Sequence, residues 1–372
     1  MKLEAVELRR IRMSLVAPFE TSFGVQAERD ILLLRAVTDD GEGWGECVAG
    51  EEPTYSSEYV DAAQHVLIHH LLPRLFGQAQ ITAADVSKVL RPVHGHQMAK
   101  STIEMAVLDA ELRARGESFA QFFGAARPMV DCGVSVGIHK SIPDLLDTVG
   151  VYLEQGYRRI KLKIKPGWDL DPVHAVRERF GQVPLQVDAN TAYRVSDAGH
   201  LAKLDPYGLL LIEQPLPEEQ VLAHAEVAKT VRTPICLDES ITSAQGASDA
   251  IALGACRIIN VKPGRVGGYL EAKRIHDVCA ERGIPVWMGG MLETGLGRAG
   301  NVAMAAMANF TLPGDTSASG RYYERDITEP FVLEDGRLRV PTGPGLGVSV
   351  DREYLESITS WKETVHASRN LS

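Results

Sequence analysis

Five charged residues stand at nearly equal intervals in the chain: Lys163, Asp188, Glu213, Asp238 and Lys262. The first four follow one another at 25-residue intervals, and the last comes after 24 residues. Each stands where a short apolar segment, of the kind that forms a buried strand, runs into a loop. Such a set can bind a hard cation through its carboxylate oxygens and move protons through its amines.

The elements that carry these residues alternate between short apolar runs and helical stretches, which indicates βα units and a parallel sheet. A repeat of about 25 residues fits one strand plus one helix. Eight strands are the number that closes a barrel. The runs are GVSVGI, IKLKI, LQVDA, LLIEQ, ICLDE, IINVK, PVWMG and FTLPGD.

The first third of the chain has a different pattern. Residues 1–48 alternate apolar and polar positions, which predicts antiparallel strands. From Tyr55 to Gly124 the apolar residues follow helical spacing, so strands followed by helices form an α+β unit. The tail after Tyr322 is long enough to return to this unit.

The ends of consecutive barrel strands meet at one rim, where catalytic residues of such folds lie. Neighbouring strands are about 4.8 Å apart, so the three acidic side chains should crowd together and need a cation. Oxygen ligands without histidine or cysteine favour Mg²⁺ or Mn²⁺. We expect Asn190 and Glu239 to support these ligands by hydrogen bonds.

The lysines are expected to flank this cation. Lys161 and Lys163 share one side of their strand because side chains alternate. Lys163 and Lys262 are four strands apart in a ring of eight, which predicts opposite walls with a substrate carbon between them. We expect cationic neighbours and burial to lower the lysine pKa values. A single charged residue ending a strand is usually a solvated loop residue or a helix cap, but five in register favour a functional site.

Composition narrows the class of partner. The formal net charge of −10 and pI near 5.6 argue against binding to nucleic acid or to an anionic membrane surface. No apolar run approaches the length of a membrane span, and five scattered cysteines suit a reducing compartment. We therefore expect a cytoplasmic enzyme with a small-molecule carboxylate substrate.

Several motifs together resemble the muconate-lactonizing branch of the enolase superfamily, most closely its N-acylamino acid (N-succinylamino acid) racemase and o-succinylbenzoate synthase members. The motifs are KLKIKPGW, VDAN, LIEQP, CLDES, INVKPGRVGG and PGDTSAS. The resemblance implies an α/β fold in which an α+β capping domain, from residues 1–125 and the returning segment 321–372, covers a (β/α)7β barrel at residues 126–320.

The resemblance also implies roles for individual residues. Mg²⁺ would be held by Asp188, Glu213 and Asp238, with Lys163 and Lys262 as the two acid/base groups and Lys161 polarising the substrate carboxylate. A homo-oligomer is implied too, an octamer being common in such proteins. The residues implied to line the pocket for the acyl group and side chain are Phe19, Phe23, Ser135, Leu292 and Tyr322.

Two departures narrow the branch. No histidine follows the seventh strand in MGGMLETG, which argues against the mandelate racemase-like branch with its histidine base. The segment GDTS at the eighth strand lacks the DxD pattern of dipeptide epimerases. We therefore expect racemisation of N-acyl, especially N-succinyl, amino acids, or syn dehydration of 2-succinyl-6-hydroxy-2,4-cyclohexadiene-1-carboxylate to o-succinylbenzoate, a step of menaquinone biosynthesis. The alternatives are a muconate cycloisomerase and a non-catalytic metal-binding relative.

Overall fold

The computed structural model describes residues 1–367. Its strands are β1 (Leu3–Thr21), β2 (Gly24–Thr38), β3 (Gly41–Cys47), β4 (Met129–Asp131), β5 (Gly133–Val136), β6 (Arg159–Lys163), β7 (Leu185–Asp188), β8 (Ile212–Glu213), β9 (Ile235–Leu237), β10 (Ile258–Val261), β11 (Val286–Met288), β12 (Arg337–Arg339) and β13 (Thr359–His366).

The α-helices are α1 (Val60–Val66), α2 (Leu72–Phe76), α3 (Ala83–Leu90), α4 (Gln97–Arg115), α5 (Phe119–Phe123), α6 (Ile142–Glu154), α7 (Leu170–Phe180), α8 (Ala198–Leu201), α9 (Val221–Thr230), α10 (Ala244–Ala252), α11 (Pro263–Val266), α12 (Tyr269–Glu281), α13 (Gly295–Ala305) and α14 (Arg352–Ser357). A π-helical turn, Leu67–Leu71, joins α1 to α2, and short 3₁₀ helices occur at Val195–Asp197, Ala202–Tyr207 and Ser319–Arg321.

The first sheet is antiparallel, with strand order β13-β1-β2-β3. This confirms the strands expected in residues 1–48. The outer strand β13 pairs with β1, where His366 lies opposite Ala5. The domain limits 1–125, 126–320 and 321–372 remain a prediction, and the last five residues of the third segment lie outside the described residues.

Helix α4 packs against β3 with almost no space between their backbones. Gly43 and Gly45 of β3 make this possible, because a Cβ at Gly45 would lie 2.1 Å from the carbonyl oxygen of Thr102. Helix α4 is buried along most of its length and connects the first sheet to the helices beside it. The strands-then-helices organisation expected for the first third is therefore present.

The second sheet is parallel and has the order β11-β10-β9-β8-β7-β6-β5. The eighth apolar run closes the ring without forming a regular strand. Phe310 bridges to Val286 in β11, and Gly314 bridges to Cys132 beside β5. Pro313 has no amide hydrogen to donate, which limits ladder formation here. The predicted α/β barrel is confirmed.

Register places the charged residues side by side. Lys163 of β6 lies opposite Asp188 of β7, and Asp188 lies opposite Glu213 of β8. The alternate residues Ile160 and Leu162 belong to the main hydrophobic core. Alternation along β6 therefore gives one apolar side and one side that carries lysines. None of the helices within residues 1–367 combines the length and apolar character that crossing a bilayer requires.

Candidate active site

Lys161 lies at the centre of an acidic cluster. Its Nζ is 3.1 Å from Asp188 Oδ2, 3.1 Å from Glu213 Oε2 and 2.7 Å from Asp315 Oδ2. The ammonium group also lies 4.8 Å from the ring centroid of Trp287, which supports it through a cation–π contact. The side chain is almost fully buried, so these contacts replace its hydration.

Lys163 lies two residues further along the same strand, on the same side as Lys161. Its Nζ donates to Asp188 Oδ2 and to Asn190 Oδ1, both at 2.6 Å. The amide nitrogen of Asn190 in turn donates to Glu239 Oε1 at 2.9 Å. Asn190 thus connects the lysine to Glu239, and both of these polar residues lie at the site; their support of metal ligands remains a prediction.

Lys262 follows β10, and three strands separate β10 from β6 in the sheet. Its Nζ donates to Asp238 Oδ2 at 2.7 Å and to the Tyr55 hydroxyl at 3.0 Å. The other carboxylate oxygen of Asp238 accepts hydrogen bonds from Arg265 and from Tyr55. Lys163 and Lys262 are therefore each paired with a different member of the carboxylate set.

The prediction that the lysine pKa values are lowered is wrong for two of the three lysines. Burial favours the neutral amine, but the carboxylates of Asp315, Glu213 and Asp188 raise the pKa of Lys161 well above its usual range. For Lys262, burial is likewise outweighed by Asp238, and the pKa is raised. The reason for the difference is that carboxylates lie in contact with each of these amines, and such contacts are not visible in the sequence.

The acidic side chains themselves require positive charge. Glu213 is fully buried, and burial together with the charges of Asp188 and Asp238 raises the pKa of Glu213 well above its usual range. Within residues 1–367 no three ligand side chains converge as a ready-made metal site. The ammonium of Lys161 instead lies between Asp188 and Glu213. Buried carboxylate oxygens on three neighbouring strands fit a hard divalent cation by their chemistry.

A cavity of about 530 Å³ opens over this cluster. All three lysines line it. The five residues that were expected from the sequence to line the pocket also line this cavity. They are Phe19, Phe23, Ser135, Leu292 and Tyr322. Of these, Ser135 donates to Asp315 Oδ2 at 3.1 Å, and the ring centroid of Phe19 lies 5.9 Å from Lys163 Nζ. The size suits a drug-sized small molecule.

Several residues of the site were not identified from the sequence. Asp315 ends the eighth run and binds both Lys161 and Arg159, and it has the same end-of-strand position as the other acids. Asn260, two residues before Lys262, donates to Glu213 Oε1 at 2.6 Å, so strand alternation could have found it. Tyr55 and Arg265 lie in a loop and a short helix, where no periodic signal marks them.

Comparison with known proteins identifies the fold family. Residues 144–354 match the family model described as enolase C-terminal domain-like, and residues 5–124 match the mandelate racemase/muconate lactonizing enzyme N-terminal domain. The chain belongs to the enolase superfamily. The resemblance stated from the motifs is therefore confirmed, and the matches extend over nearly the whole chain.

Similar curated proteins are enzymes. An N-succinylamino acid racemase from an Amycolatopsis species is 66% identical, over 97% of this chain and 99% of the relative. An o-succinylbenzoate synthase from Geobacillus kaustophilus is 48% identical, over 98% of both chains. A solved enolase-superfamily member from Listeria innocua superposes with a TM-score of 0.95 at 38% identity, covering 99% of this chain and 100% of the other. The protein is an enzyme of this superfamily.

Proposed function

We propose that this enzyme removes the α-proton of a carboxylate substrate and thereby racemises N-acyl amino acids, with N-succinyl amino acids favoured. The observation that carries the proposal is that Lys163 and Lys262 line one cavity from strands separated by three others. Two amines on different walls can serve the two faces of one carbon. The 66% identical racemase supports this substrate class.

In this scheme Lys163 removes the proton from one enantiomer, and Lys262 returns a proton to the opposite face. Their roles exchange for the other enantiomer. The charge of Asp238 raises the pKa of Lys262, and Lys262 would act as a base when a bound cation offsets that charge. Lys161 donates to the substrate carboxylate and so favours the charge that develops there. Asp188, Glu213 and Asp238 would hold a magnesium ion, which, when bound, offsets their repulsion and stabilises negative charge on the substrate carboxylate. Manganese or another divalent cation is an alternative metal for the same oxygen ligands.

The second candidate reaction is syn dehydration to o-succinylbenzoate, because relatives 48% identical over nearly the whole chain are synthases. It begins with the same α-proton abstraction. Lys163 would act as the base and would return this proton to the departing hydroxyl on the same face, so that water leaves, while the ammonium of Lys262 would stabilise the enediolate. Both reactions use the same described residues, so direct assay of each substrate is the means of separating them.

Proton exchange in D₂O tests the proposal. N-succinyl-phenylalanine is incubated with Mg²⁺ and enzyme, and the α-deuterium content and chirality are followed. We expect deuterium incorporation with inversion. Lys163→Ala and Lys262→Ala should each abolish racemisation while still exchanging the α-proton of one enantiomer, a different one in each variant. No incorporation by the wild-type enzyme, or full racemisation by either variant, rejects the scheme.

Two assays address the alternatives. Turnover of cis,cis-muconate by the wild-type enzyme at a rate exceeding that of N-succinyl-phenylalanine would favour a muconate cycloisomerase. Absence of proton exchange across a panel of carboxylates would favour a non-catalytic metal-binding protein. Size measurement in solution tests the expected homo-oligomer, for which an octamer remains a prediction.

A further inference from the structure

Among residues 1–367, Arg29 is a buried cation without an acidic partner. Its residue surface is only 2% exposed. Its one hydrogen bond within residues 1–367 runs from Nη2 to the carbonyl oxygen of Val48 at 3.5 Å, the limit for such a bond. Its Nε is buried and has no partner in the described chain. A guanidinium is almost never buried in this way unless it is paired, because the desolvation of its charge is left uncompensated.

The position of Arg29 within β2 directs it to the catalytic cavity. The next residue, Asp30, accepts a hydrogen bond from Arg10 of the neighbouring strand β1 at 2.8 Å, so Asp30 lies on the same face of the sheet as Arg10. Alternation places Arg29 on the opposite face. Arg29 lines the same cavity as Lys161, Lys163 and Lys262.

The acidic residues of this cavity are committed to other cations. Glu28 and Glu51 are bound by Arg12, at 3.0 and 3.4 Å. Asp315 is bound by Lys161 and Arg159. The remaining one, Glu52, is exposed at the rim. The three lysines, in contrast to Arg29, each have a carboxylate oxygen within 2.7 Å.

We propose that Arg29 binds a second carboxylate of the substrate, distant from the carboxylate at the catalytic lysines. The substrate is then a dianion with acidic groups at both ends, and the guanidinium gains the charge-assisted hydrogen bonds that the described part of the chain does not supply. This inference rests on the proposed function and deepens it, because it assigns recognition of a succinyl terminus to a particular residue. A neutral acyl group of the same shape leaves Arg29 buried and unpaired.

Binding of two matched ligands tests this role. One is racemic N-succinyl-phenylalanine, and the other is racemic N-succinamyl-phenylalanine, in which a neutral carboxamide replaces the distal carboxylate. Racemates are used because turnover by a racemase leaves their composition unchanged. Dissociation constants are measured by titration calorimetry with the Mg²⁺-loaded enzyme. We expect the wild-type enzyme to bind the succinyl compound about 10- to 100-fold more tightly, the range of one charged hydrogen-bonding contact.

Arg29→Met should reduce this preference to near unity, and Arg29→Lys, which keeps the charge, should retain part of it. Arg35→Met is the matched control on the same strand, since Arg35 pairs with Glu7 and Glu42 and does not line the cavity; it should keep the wild-type preference. Equal binding of both ligands by the wild-type enzyme, no binding of the succinyl compound, or an unchanged preference in Arg29→Met overturns the proposal. A retained preference without proton exchange in D₂O would reject the racemase function alone.

Discussion

The hydroxyl of Tyr55 lies 3.0 Å from the Nζ of Lys262. Tyr55 belongs to the loop that follows the first sheet, whereas Lys262 follows a barrel strand. The hydroxyl donates to Asp238 Oδ1 at 3.1 Å and accepts from the lysine, and the ring lies 4.5 Å from the ammonium. One side chain from outside the barrel thus orients both a proposed metal ligand and a proposed base.

Tyr55→Phe should slow proton exchange unequally for the two enantiomers. The substitution removes the hydroxyl that orients Lys262, so exchange of the enantiomer served by Lys262 should fall about 10- to 100-fold, the effect of a hydrogen bond to a charged group. Exchange of the enantiomer served by Lys163 should fall less. Initial rates of α-deuterium incorporation measure both. Tyr193→Phe is the control, because its hydroxyl binds Asp169 outside the cavity; equal losses for both enantiomers in Tyr55→Phe contradict the prediction.

Removal of divalent metal should abolish turnover, and added Mg²⁺ should restore it. A cation that binds only the folded state raises the free energy of unfolding by about 2.7 kcal/mol when its concentration is 100 times Kd, and Tm rises as a result. Glu213→Gln keeps the shape of the side chain but removes its charge, so the Mg²⁺-dependent rise in Tm should shrink or vanish. Thermal unfolding of chelator-treated protein with and without Mg²⁺ measures this. An equal rise in Tm for Glu213→Gln and wild type would exclude Glu213 as a ligand.

Glu104 should make stability depend on pH. It lies buried in α4, accepts a hydrogen bond from the amide of Leu270 at the start of α12, and burial raises its pKa from 4.5 to about 8. Between these values the folded chain holds more protons than the unfolded chain, so this contribution is present below pH 4.5 and is lost as pH rises through 8. The slope is at most about 1.4 kcal/mol per pH unit.

Glu104→Gln should therefore remove this part of the pH dependence. Urea unfolding at pH 5, 6, 7 and 8 gives the free energy of unfolding for both proteins. The difference between variant and wild type should move in favour of the variant as pH rises. A difference that stays constant over this range would show that Glu104 is ionised in the folded protein throughout.

Gly45→Ala should destabilise the fold although alanine restricts the unfolded chain more. The new methyl group would lie 2.1 Å from the backbone oxygen of Thr102, so α4 must move away from β3. We expect a loss of about 1–3 kcal/mol in the free energy of unfolding. Gly199→Ala in α8 is the control, since no atom of the described residues lies within 4 Å of its added Cβ. A neutral effect of Gly45→Ala in urea unfolding would contradict the packing described for α4.

The regular parts of the molecule could be predicted because local patterns carry them. The 25-residue interval follows from one strand and one helix, and strand alternation placed Lys161 beside Lys163 on one side of β6. The end of a parallel strand is a position that sequence marks clearly, which is why Asp188 and Glu213 were expected at one rim and lie opposite each other in register.

Contacts between distant segments could not be predicted in the same way. Tyr55 is 183 residues from Asp238, and no periodicity relates them. The pKa of Lys262 was predicted in the wrong direction because the balance of burial and charge depends on distances of a few ångströms. Arg29 is similar: the sequence marks it as an ordinary strand residue, and only the structure reveals that it lacks an acidic partner within the described chain.

The pairing of β13 with β1 has a consequence for biosynthesis. Val6 lies opposite Val365, so the edge strand of the first sheet is supplied by residues translated some 350 positions later. The ribosome releases β1 to β3 and the barrel well before this partner emerges. A nascent chain must therefore keep the free edge of β1 from pairing with other chains until β13 has been translated, and chaperone binding during synthesis would protect that edge.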